Sequence, residues 1–155
     1  MVDRVPAAIR SRNMSAVRAK NTAPELIVRR ALFAKGFRYR LHVRDLPGTP
    51  DILLPSWRVA IFVHGCFWHG HDCSRFRWPS SNAAFWAQKI ATNRKNDAKA
   101  REALTRLGWR VSVVWECDVR AKSEDERRTF FDALSDYIVS GRGRKNCARN
   151  ATKTC

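Results

Sequence analysis

The sequence predicts an α/β domain, or a closely related α+β domain, in which helices flank a small mixed sheet. The length of 155 residues suits one domain, and a hydrophobic content of 45% is enough for one core. The periodicity gives the order helix, three strands, long loop, helix, strand, helix. Elements alternating in this way place helices against the faces of a sheet.

The chain divides into three parts. Residues 1–21 are polar and basic and are predicted to form an N-terminal arm. Residues 22–140 contain the periodic segments and form the domain. Residues 141–155 (GRGRKNCARNATKTC) are basic and without periodicity, so they are predicted to be a disordered tail.

The first helix is predicted to begin at Thr22 and to end before Gly36. Thr22 is the candidate N-cap, Pro24 lies in the first turn, and Glu25 stands at the capping-box position. The amphipathic spacing of Leu26 to Phe33 continues the helix.

Three strands are predicted next, followed by a loop that carries most of the polar chemistry. The strands are FRYRLHV (37–43), DILL (51–54) and RVAIFV (58–63), with turn residues DLPGTP at 45–50. The irregular loop covers 64–80. Neither of its first two histidines, His64 and His69, lies in an apolar periodic segment, so neither is expected to be a buried core residue.

The second half of the domain is predicted to be helix, strand, helix. A helix from about Ala83 to Leu107 would be roughly 37 Å long at about 1.5 Å per residue. WRVSVVW (109–115) is predicted to be a buried strand. The last helix starts near Ser123, which forms a capping box with Glu126, and ends by Ser140.

The charge indicates a polyanionic partner. The net charge is +16, from 30 Lys and Arg against 14 Asp and Glu. Nucleic acid is the favoured partner, with a ribosomal role or an anionic membrane surface as alternatives. No apolar run approaches the roughly 20 residues of a membrane span. The N-terminus lacks the apolar region of a signal peptide, so a cytoplasmic location is expected.

Cysteine and histidine residues in the segment FVHGCFWHGHDC (62–73) indicate a structural zinc site. In a reducing compartment the five cysteines are expected to be metal ligands or free thiols rather than disulfides. Cys66, Cys73 and the more distant Cys117 supply three ligands for a tetrahedral site. The fourth is one of three histidines, of which His71 is the nearest to Cys73.

The remaining polar residues of this region are candidates for catalysis. His64 and His69 can transfer protons or contact phosphate, and the residues alone do not decide between these roles. Asp51 opens a strand and can hold Mg²⁺ against a phosphate oxygen, although an aspartate after proline is also a common capping residue. Glu25 has its own ordinary explanation as a capping-box residue.

Several segments together resemble the very short patch repair (Vsr) mismatch endonucleases. They are SRNM (11–14), TAPE (22–25), LPGTPD (46–51), IFVHGCFWHGHDC (61–73), FWAQKIATN (85–93) and LGWRVSVVWEC (107–117). The resemblance implies a restriction-endonuclease-like fold with added zinc. It also implies Mg²⁺-dependent nicking of one DNA strand, 5′ to the thymine of a T·G mismatch that arises when 5-methylcytosine deaminates.

The resemblance also implies roles for single residues. Asp51 matches the metal-binding aspartate, His69 the histidine that activates water, His64 a second active-site histidine, and Glu25 an acid that reaches the metal through water. The backbone carbonyl of Val63 is implied as a further Mg²⁺ ligand, and two Mg²⁺ ions are expected. One structural zinc is implied, with the ligands Cys66, His71, Cys73 and Cys117.

Aromatic residues are expected to contact the mismatch. Phe67 and Trp68 lie between zinc ligands, lack the periodicity of core residues, and are interpreted as exposed rings that insert into the base stack. Trp86, Lys89 and Asn93 share one helical face and are expected to support the aromatic pair or contact base edges. Met14 on the arm matches a family residue that reaches DNA from the opposite side.

Two other functions remain open from the sequence. A zinc-stabilised mismatch-binding module without catalysis explains the charge, the cysteines and the aromatics, but not Asp51, His64 and His69. A nuclease with catalytic zinc bound by both histidines is the other. The protein is expected to be a nucleoid-associated monomer that binds double-stranded DNA with a T·G mismatch, with further repair proteins as partners and no membrane association.

Overall fold

The computed structural model describes residues 20–120 and 123–141. Nearly the whole predicted arm, including Met14, lies outside these residues, as does the predicted tail beyond residue 141. The predictions for those two segments are therefore left as they stand.

The described residues form the predicted mixed α/β architecture. The helices are α1 (Ala23–Ala34), α2 (Ala83–Arg106), the short α3 (Glu116–Val119) and α4 (Glu124–Ser140). The strands are β1 (Arg40–Leu41), β2 (Ile52–Leu54), β3 (Val59–His64) and β4 (Arg110–Trp115), with a 3-10 turn at Pro55–Trp57 between β2 and β3.

Both predicted helix caps are present. The Thr22 hydroxyl accepts from the Glu25 amide, and Ser123 and Glu126 form a reciprocal capping box. These contacts satisfy amide groups that a helix leaves without partners in its first turn. They fix where α1 and α4 begin. Because its cap fixes where α1 begins, Glu25 in the first turn of α1 lines a cleft between α1, β2, β3 and α2.

The strands form one sheet in the order β1-β2-β3-β4. β1, β2 and β3 are antiparallel neighbours, whereas β3 and β4 are parallel and are connected through α2. In the antiparallel pair the beginning of β2 lies beside the end of β3. This register brings Asp51, just before β2, to the end of β3, beside Phe62 and Val63.

The sheet separates two apolar layers. On one face Ile52, Leu54, Val59 and Ile61 pack against α1 and α4. On the other face Leu53, Ala60 and Phe62 pack against Leu104 of α2. The alternation of neighbouring residues between the faces follows from the two-residue period of a strand.

Two strands differ from their predictions. The first predicted strand (37–43) is reduced to Arg40–Leu41. Its C-terminal end is set by His42, whose φ of +47° is a left-handed conformation that an extended strand cannot contain. β4 was expected to be buried, but only Val114 is, because β4 is the outer strand of the sheet. Within the described residues, no helix is long and apolar enough to cross a membrane.

Candidate active site and metal-ligand cluster

A cleft of about 720 Å³ opens where α1, β2, β3 and α2 meet. Its lining includes all four residues that were predicted to be catalytic: Glu25, Asp51, His64 and His69. Asp51 is fixed by Val63, whose backbone amide donates to Asp51 Oδ2 at 2.7 Å. The sheet register and this hydrogen bond together hold the carboxylate where β2 begins and β3 ends.

Asp51 lies in an environment that disfavours its charge. Burial, together with the nearby Glu25 carboxylate, raises the pKa of Asp51 from 3.8 to about 6, although the Val63 hydrogen bond acts in the opposite direction. A bound cation would offset this electrostatic penalty. Carboxylate oxygens are also the ligands that Mg²⁺ prefers, so the residues present fit a divalent ion at this position.

Glu25 extends the cleft from the first turn of α1 and is 2% exposed. One of its oxygens, Oε2, accepts from the Asn21 amide at 3.0 Å and from Arg29 Nη2 at 2.7 Å. Glu25, His42 and Asp51 form one group whose ligand atoms lie within 4.8 Å of one another. Glu25, which the sequence predicts to be a capping-box residue, is thus also part of the cleft.

The two histidines predicted to be catalytic, His64 and His69, stack on each other. The ring centroids of His64 and His69 are 3.8 Å apart with an angle of 2° between the planes. Asp97 of α2 contacts both: its Oδ2 lies 2.5 Å from His69 Nδ1 and its Oδ1 lies 3.9 Å from His64 Nε2. A carboxylate in this position holds the proton of His69 on Nδ1, so that Nε2 can accept a proton.

His64 is 7% exposed, contrary to the expectation that neither loop histidine would be buried. It is the last residue of β3 and packs beside Phe62, His69 and Trp115. Burial and the neighbouring His69 lower the pKa of His64 to about 4, while Asp97 acts in the opposite direction. His64 is therefore neutral at physiological pH.

A second cluster, next to the cleft, contains the four predicted zinc ligands. Cys66, His71, Cys73 and Cys117 each offer a ligand atom, and these atoms lie within 4.8 Å of one another. Three of them come from the loop after β3 and the fourth from α3. The ring of His71 stacks on Trp115 at 4.1 Å and 5°. This contact orients the imidazole toward the thiols.

The geometry of the second cluster fits a tetrahedral metal ion. The three cysteines are free thiols. Cys117 Sγ lies 3.4 Å from His71 Nδ1. A tetrahedral zinc with bonds of about 2.3 Å to sulfur and about 2.0 Å to nitrogen requires a similar separation. Burial raises the pKa of the Cys66 thiol to about 12, so a cation is needed to hold it as a thiolate.

The aromatic residues between these ligands form a cluster rather than two exposed rings. Phe67 and Trp68 are half-buried, contact each other edge-on at 5.3 Å, and both contact Trp86 of α2. Their partial burial differs from the exposure that the sequence predicted. The predicted association of Trp86 with the pair is present, and Trp68 lines the cleft.

Two polar residues of α2 were predicted to share a face with Trp86. Lys89 is exposed, whereas Asn93 donates from Nδ2 to the Trp68 carbonyl at 2.7 Å. Asn93 therefore helps to hold the loop that carries the aromatic residues. Arg94, the next residue, contacts the carbonyl groups of His69 and Gly70 from the same helix.

Sequence reasoning missed two residues near Asp51: Asp97, which lines the cleft, and His42, which lies in an adjacent pocket that Asp51 also lines. Asp97 follows Asn93 by four residues and so continues the face of α2 that begins at Trp86. His42 pairs through its backbone amide with the Asp51 carbonyl at 3.2 Å. The turn residues 45–50 between two predicted strands could have indicated that pairing.

Carboxylates and histidines gathered where two central strands of a mixed sheet end are groups that a metal-dependent nuclease can use, and the comparisons with known proteins define the class as nuclease. The model of the family "DNA mismatch endonuclease Vsr" matches residues 2–75. The Type II nicking enzyme V.XorIIP of Xanthomonas oryzae pv. oryzae is 50% identical over 119 residues, which cover 77% of this chain and 88% of that protein.

Two further relatives show similar coverage. The DNA mismatch endonuclease Vsr of Escherichia coli is 37% identical over 138 residues, 89% of this chain and 88% of the relative. The Type II nicking enzyme V.NmeAIP of Neisseria meningitidis is 42% identical over 123 residues, 79% of this chain and 88% of the relative. The chain belongs to the Vsr family of DNA mismatch endonucleases, with a restriction-endonuclease-like fold.

Membership of this family confirms the resemblance drawn from the sequence motifs. The relatives are named as endonucleases and nicking enzymes, so the chain is an enzyme and its substrate is DNA. The interpretation as a binding module without catalysis is not supported. Nuclease chemistry also suggests use of a divalent metal, for which the clusters described above offer candidate ligands.

Proposed function

We propose that the protein nicks one strand of duplex DNA 5′ to the thymine of a T·G mismatch, by Mg²⁺-dependent hydrolysis of a phosphodiester. The observation that carries this proposal is the position of His69, held by Asp97 at 2.5 Å in the same cleft as Asp51. A base and a metal-binding carboxylate are thus available to one phosphate group.

Asp51, with the backbone carbonyl of Val63, would hold Mg²⁺, and Glu25 would reach the ion through water. The ion supplies charge stabilisation for the phosphate and its leaving oxygen. Support comes from the raised pKa of Asp51, which a cation would reverse. It also comes from the buried position of Glu25 beside it.

His69 is the proposed base. Its Nε2 takes a proton from water as the water oxygen bonds to phosphorus, and the bond from phosphorus to the 3′ oxygen breaks. The products are a 3′ hydroxyl and a 5′ phosphate, with a proton returned to the leaving oxygen. Asp97 stabilises the protonated His69 imidazole. The neutral His64, stacked on His69, contacts the phosphate or assists proton transfer.

Cys66, His71, Cys73 and Cys117 are the proposed ligands of one structural Zn²⁺. The grouping of their ligand atoms within 4.8 Å of one another, and the 3.4 Å between Cys117 Sγ and His71 Nδ1, support this role. The loop between Cys66 and Cys73 has little regular structure, and metal binding would offset the conformational entropy lost in ordering it. His69 lies on that loop, so the zinc would also set the position of the base.

Phe67 and Trp68 are the proposed wedge at the mismatch, supported by Trp86, while Lys89, Asn93 and the arm residue Met14 contact the DNA. Insertion of a ring between bases requires unstacking, which costs least where pairing is already weak. The partly exposed aromatic cluster beside the cleft supports this role. The many Lys and Arg residues would bind phosphates in a salt-dependent way.

The test uses two duplexes that differ only in one base pair, T·G or C·G, each labelled on both strands. We expect the zinc-loaded protein to nick the T-containing strand of the T·G duplex when Mg²⁺ is present, and to leave the matched duplex intact. Equal cutting of both duplexes, or binding without cutting at saturating Mg²⁺, would contradict the proposal. Replacing His69 or Asp51 provides the catalytic controls.

A further inference from the structure

Three consecutive backbone carbonyl groups of the loop after β3 accept hydrogen bonds from side chains of α2. Asn93 Nδ2 donates to the Trp68 carbonyl at 2.7 Å. Arg94 Nε donates to the His69 carbonyl at 2.9 Å, and Arg94 Nη2 donates to the Gly70 carbonyl. This part of the loop is therefore bound to α2 through its backbone.

The two bonds of Arg94 use one edge of its guanidinium group. Its Nε–H and Nη2–H bonds point in nearly the same direction, so one planar group donates to two neighbouring carbonyl oxygens in a fixed geometry. A lysine ammonium has no such fork. Arg94 thus fixes the positions of both carbonyl groups, and with them the backbone that carries the His69 ring.

Gly70 allows the loop to approach α2 this closely. Its φ is +58°, in the left-handed region that favours glycine. A Cβ atom at this position would lie 2.7 Å from Ile90 Cγ2 and 3.1 Å from Arg94 Nη2. Both neighbours belong to α2, and Ile90 is buried. The backbone at Gly70 therefore packs directly against the helix, next to His69.

The shape of the loop does not depend on α2, but its distance from the helix does. The His71 amide donates to the Cys66 carbonyl at 2.9 Å, so the loop closes a turn between two proposed zinc ligands. The distance of this turn from α2 matters for the reaction, because Asp97 of α2 lies 2.5 Å from the His69 ring. A displacement of about 1 Å would break that contact, and displacements of this size can lower a rate about 100-fold.

We propose that Arg94 is a positioning residue for the reaction: its guanidinium holds the loop on α2 at the distance at which His69 meets Asp97. The inference rests on the role of His69 as the base proposed above. It adds a second anchor to the zinc cluster, because the metal ligands set the shape of the loop and Arg94 sets its place on the helix. Arg94 acts through the backbone of the loop and is not a catalytic residue.

Single-turnover nicking of a T·G duplex at saturating protein and Mg²⁺ measures the chemical step. For Arg94→Ala we expect the rate constant to fall about 10- to 100-fold, as for a reacting group displaced by up to about 1 Å. The matched control is Lys95→Ala, which removes the same charge from the next residue of α2. Lys95 is exposed, and this variant should nick like the wild type. The two variants should bind the duplex with the same Kd, because they lose the same charge.

Free guanidinium provides a rescue that loss of stability would not show. The space left by the side chain in Arg94→Ala can accept this ion, so dilute guanidinium chloride should restore nicking. Sodium chloride at the same ionic strength, or urea at the same concentration, should not. Arg94→Lys retains the charge without the fork and should remain slow.

Proton NMR tests the position of His69 without DNA. The Nδ1 proton that His69 shares with Asp97 should give a far-downfield signal in zinc-loaded protein, assigned by its absence from His69→Ala. We expect the signal in the wild type and in Lys95→Ala, and its loss in Arg94→Ala. Arg94 is exposed, so the thermal midpoint and the zinc content of Arg94→Ala should stay near those of the wild type.

Several results would overturn the proposal. Arg94→Ala could nick as fast as Lys95→Ala, or keep the Nδ1 signal. A defect confined to Kd would make Arg94 a phosphate contact instead. Loss of zinc or of folded structure in Arg94→Ala would assign Arg94 to overall stability.

The two proposals fail in different ways. If the wild type nicks T·G duplexes and Arg94→Ala behaves like Lys95→Ala, only the role of Arg94 is wrong. If the wild type does not nick T·G duplexes with Mg²⁺, the proposed function is wrong, whereas loss of the Nδ1 signal in Arg94→Ala would still show that Arg94 anchors the loop.

Discussion

The Asp51 carboxyl leads to a stability prediction that requires no DNA. Burial and the adjacent Glu25 carboxylate raise the pKa of Asp51 from 3.8 to about 6. The folded protein therefore binds this proton more tightly than the unfolded chain does. As the pH rises from about 4 to about 6, the folded state loses stability, and above that window the loss is complete.

The size of the effect follows from the two pKa values. The interval from 3.8 to about 6 corresponds to about 3 kcal/mol, at about 1.4 kcal/mol for each pH unit. Asp51→Asn removes the charge and keeps an oxygen that can accept from the Val63 amide. We expect the variant to be about 2–3 kcal/mol more stable than the wild type at pH 8, and the difference to be roughly half as large at pH 5.

The assay is urea unfolding of zinc-loaded protein in buffer free of other divalent cations. Asp45→Asn is the matched control, because Asp45 is exposed and lies six residues earlier in the same loop; it should leave stability unchanged. Added Mg²⁺ should stabilise the wild type but not Asp51→Asn. A variant less stable than the wild type at pH 8, or a difference independent of pH, would refute the reasoning.

Three further predictions concern the base, the zinc cluster and the loop before β2. His69→Ala should abolish nicking and leave T·G binding within a few-fold in a gel-shift assay; loss of both would count against a catalytic role. Cys117→Ser should lose zinc, measured by metal analysis, and lower the free energy of unfolding by several kcal/mol, about 3 or more; a folded, zinc-loaded variant would exclude this ligand. Gly48 has φ +73°, and a Cβ there would lie 2.5 Å from Ala100 Cβ, so Gly48→Ala should cost about 2–4 kcal/mol in a chemical unfolding assay. Gly36→Ala is its control, since Gly36 has φ +87° with nothing within 4 Å; equal costs for the two variants would rule out the clash.

Local chemistry made much of the fold predictable. Helix caps depend on residues three positions apart, so Thr22 and Ser123 could be recognised from sequence. β2 and β3 could be recognised as short apolar runs bounded by turn residues, and α2 as a long segment that Gly108 ends. The grouping of Cys66, His71, Cys73 and Cys117 was also predicted, because thiols and imidazoles close together in a reducing compartment favour a metal site.

The remaining features depend on contacts between distant segments. Asp97 reaches His69 only because α2 crosses the sheet beside the loop after β3. His42 lies beside Asp51 because of a left-handed backbone that ends β1 early, which no local pattern indicated. His64 is buried because the rings of His69 and Trp115 cover it. The helix Glu116–Val119 is too short for periodicity to reveal.

The central claim is that the protein has two separate metal sites, a structural site for zinc and a catalytic site for Mg²⁺. One experiment tests this claim most directly. Protein purified in zinc-containing medium is freed of loosely bound ions, its zinc content is measured, and it is mixed with T·G duplex before and after addition of Mg²⁺. The account predicts one tightly bound zinc per chain, no nicking before Mg²⁺ is added, and nicking afterwards without loss of zinc. Nicking by the zinc-loaded protein before Mg²⁺ is added would contradict it.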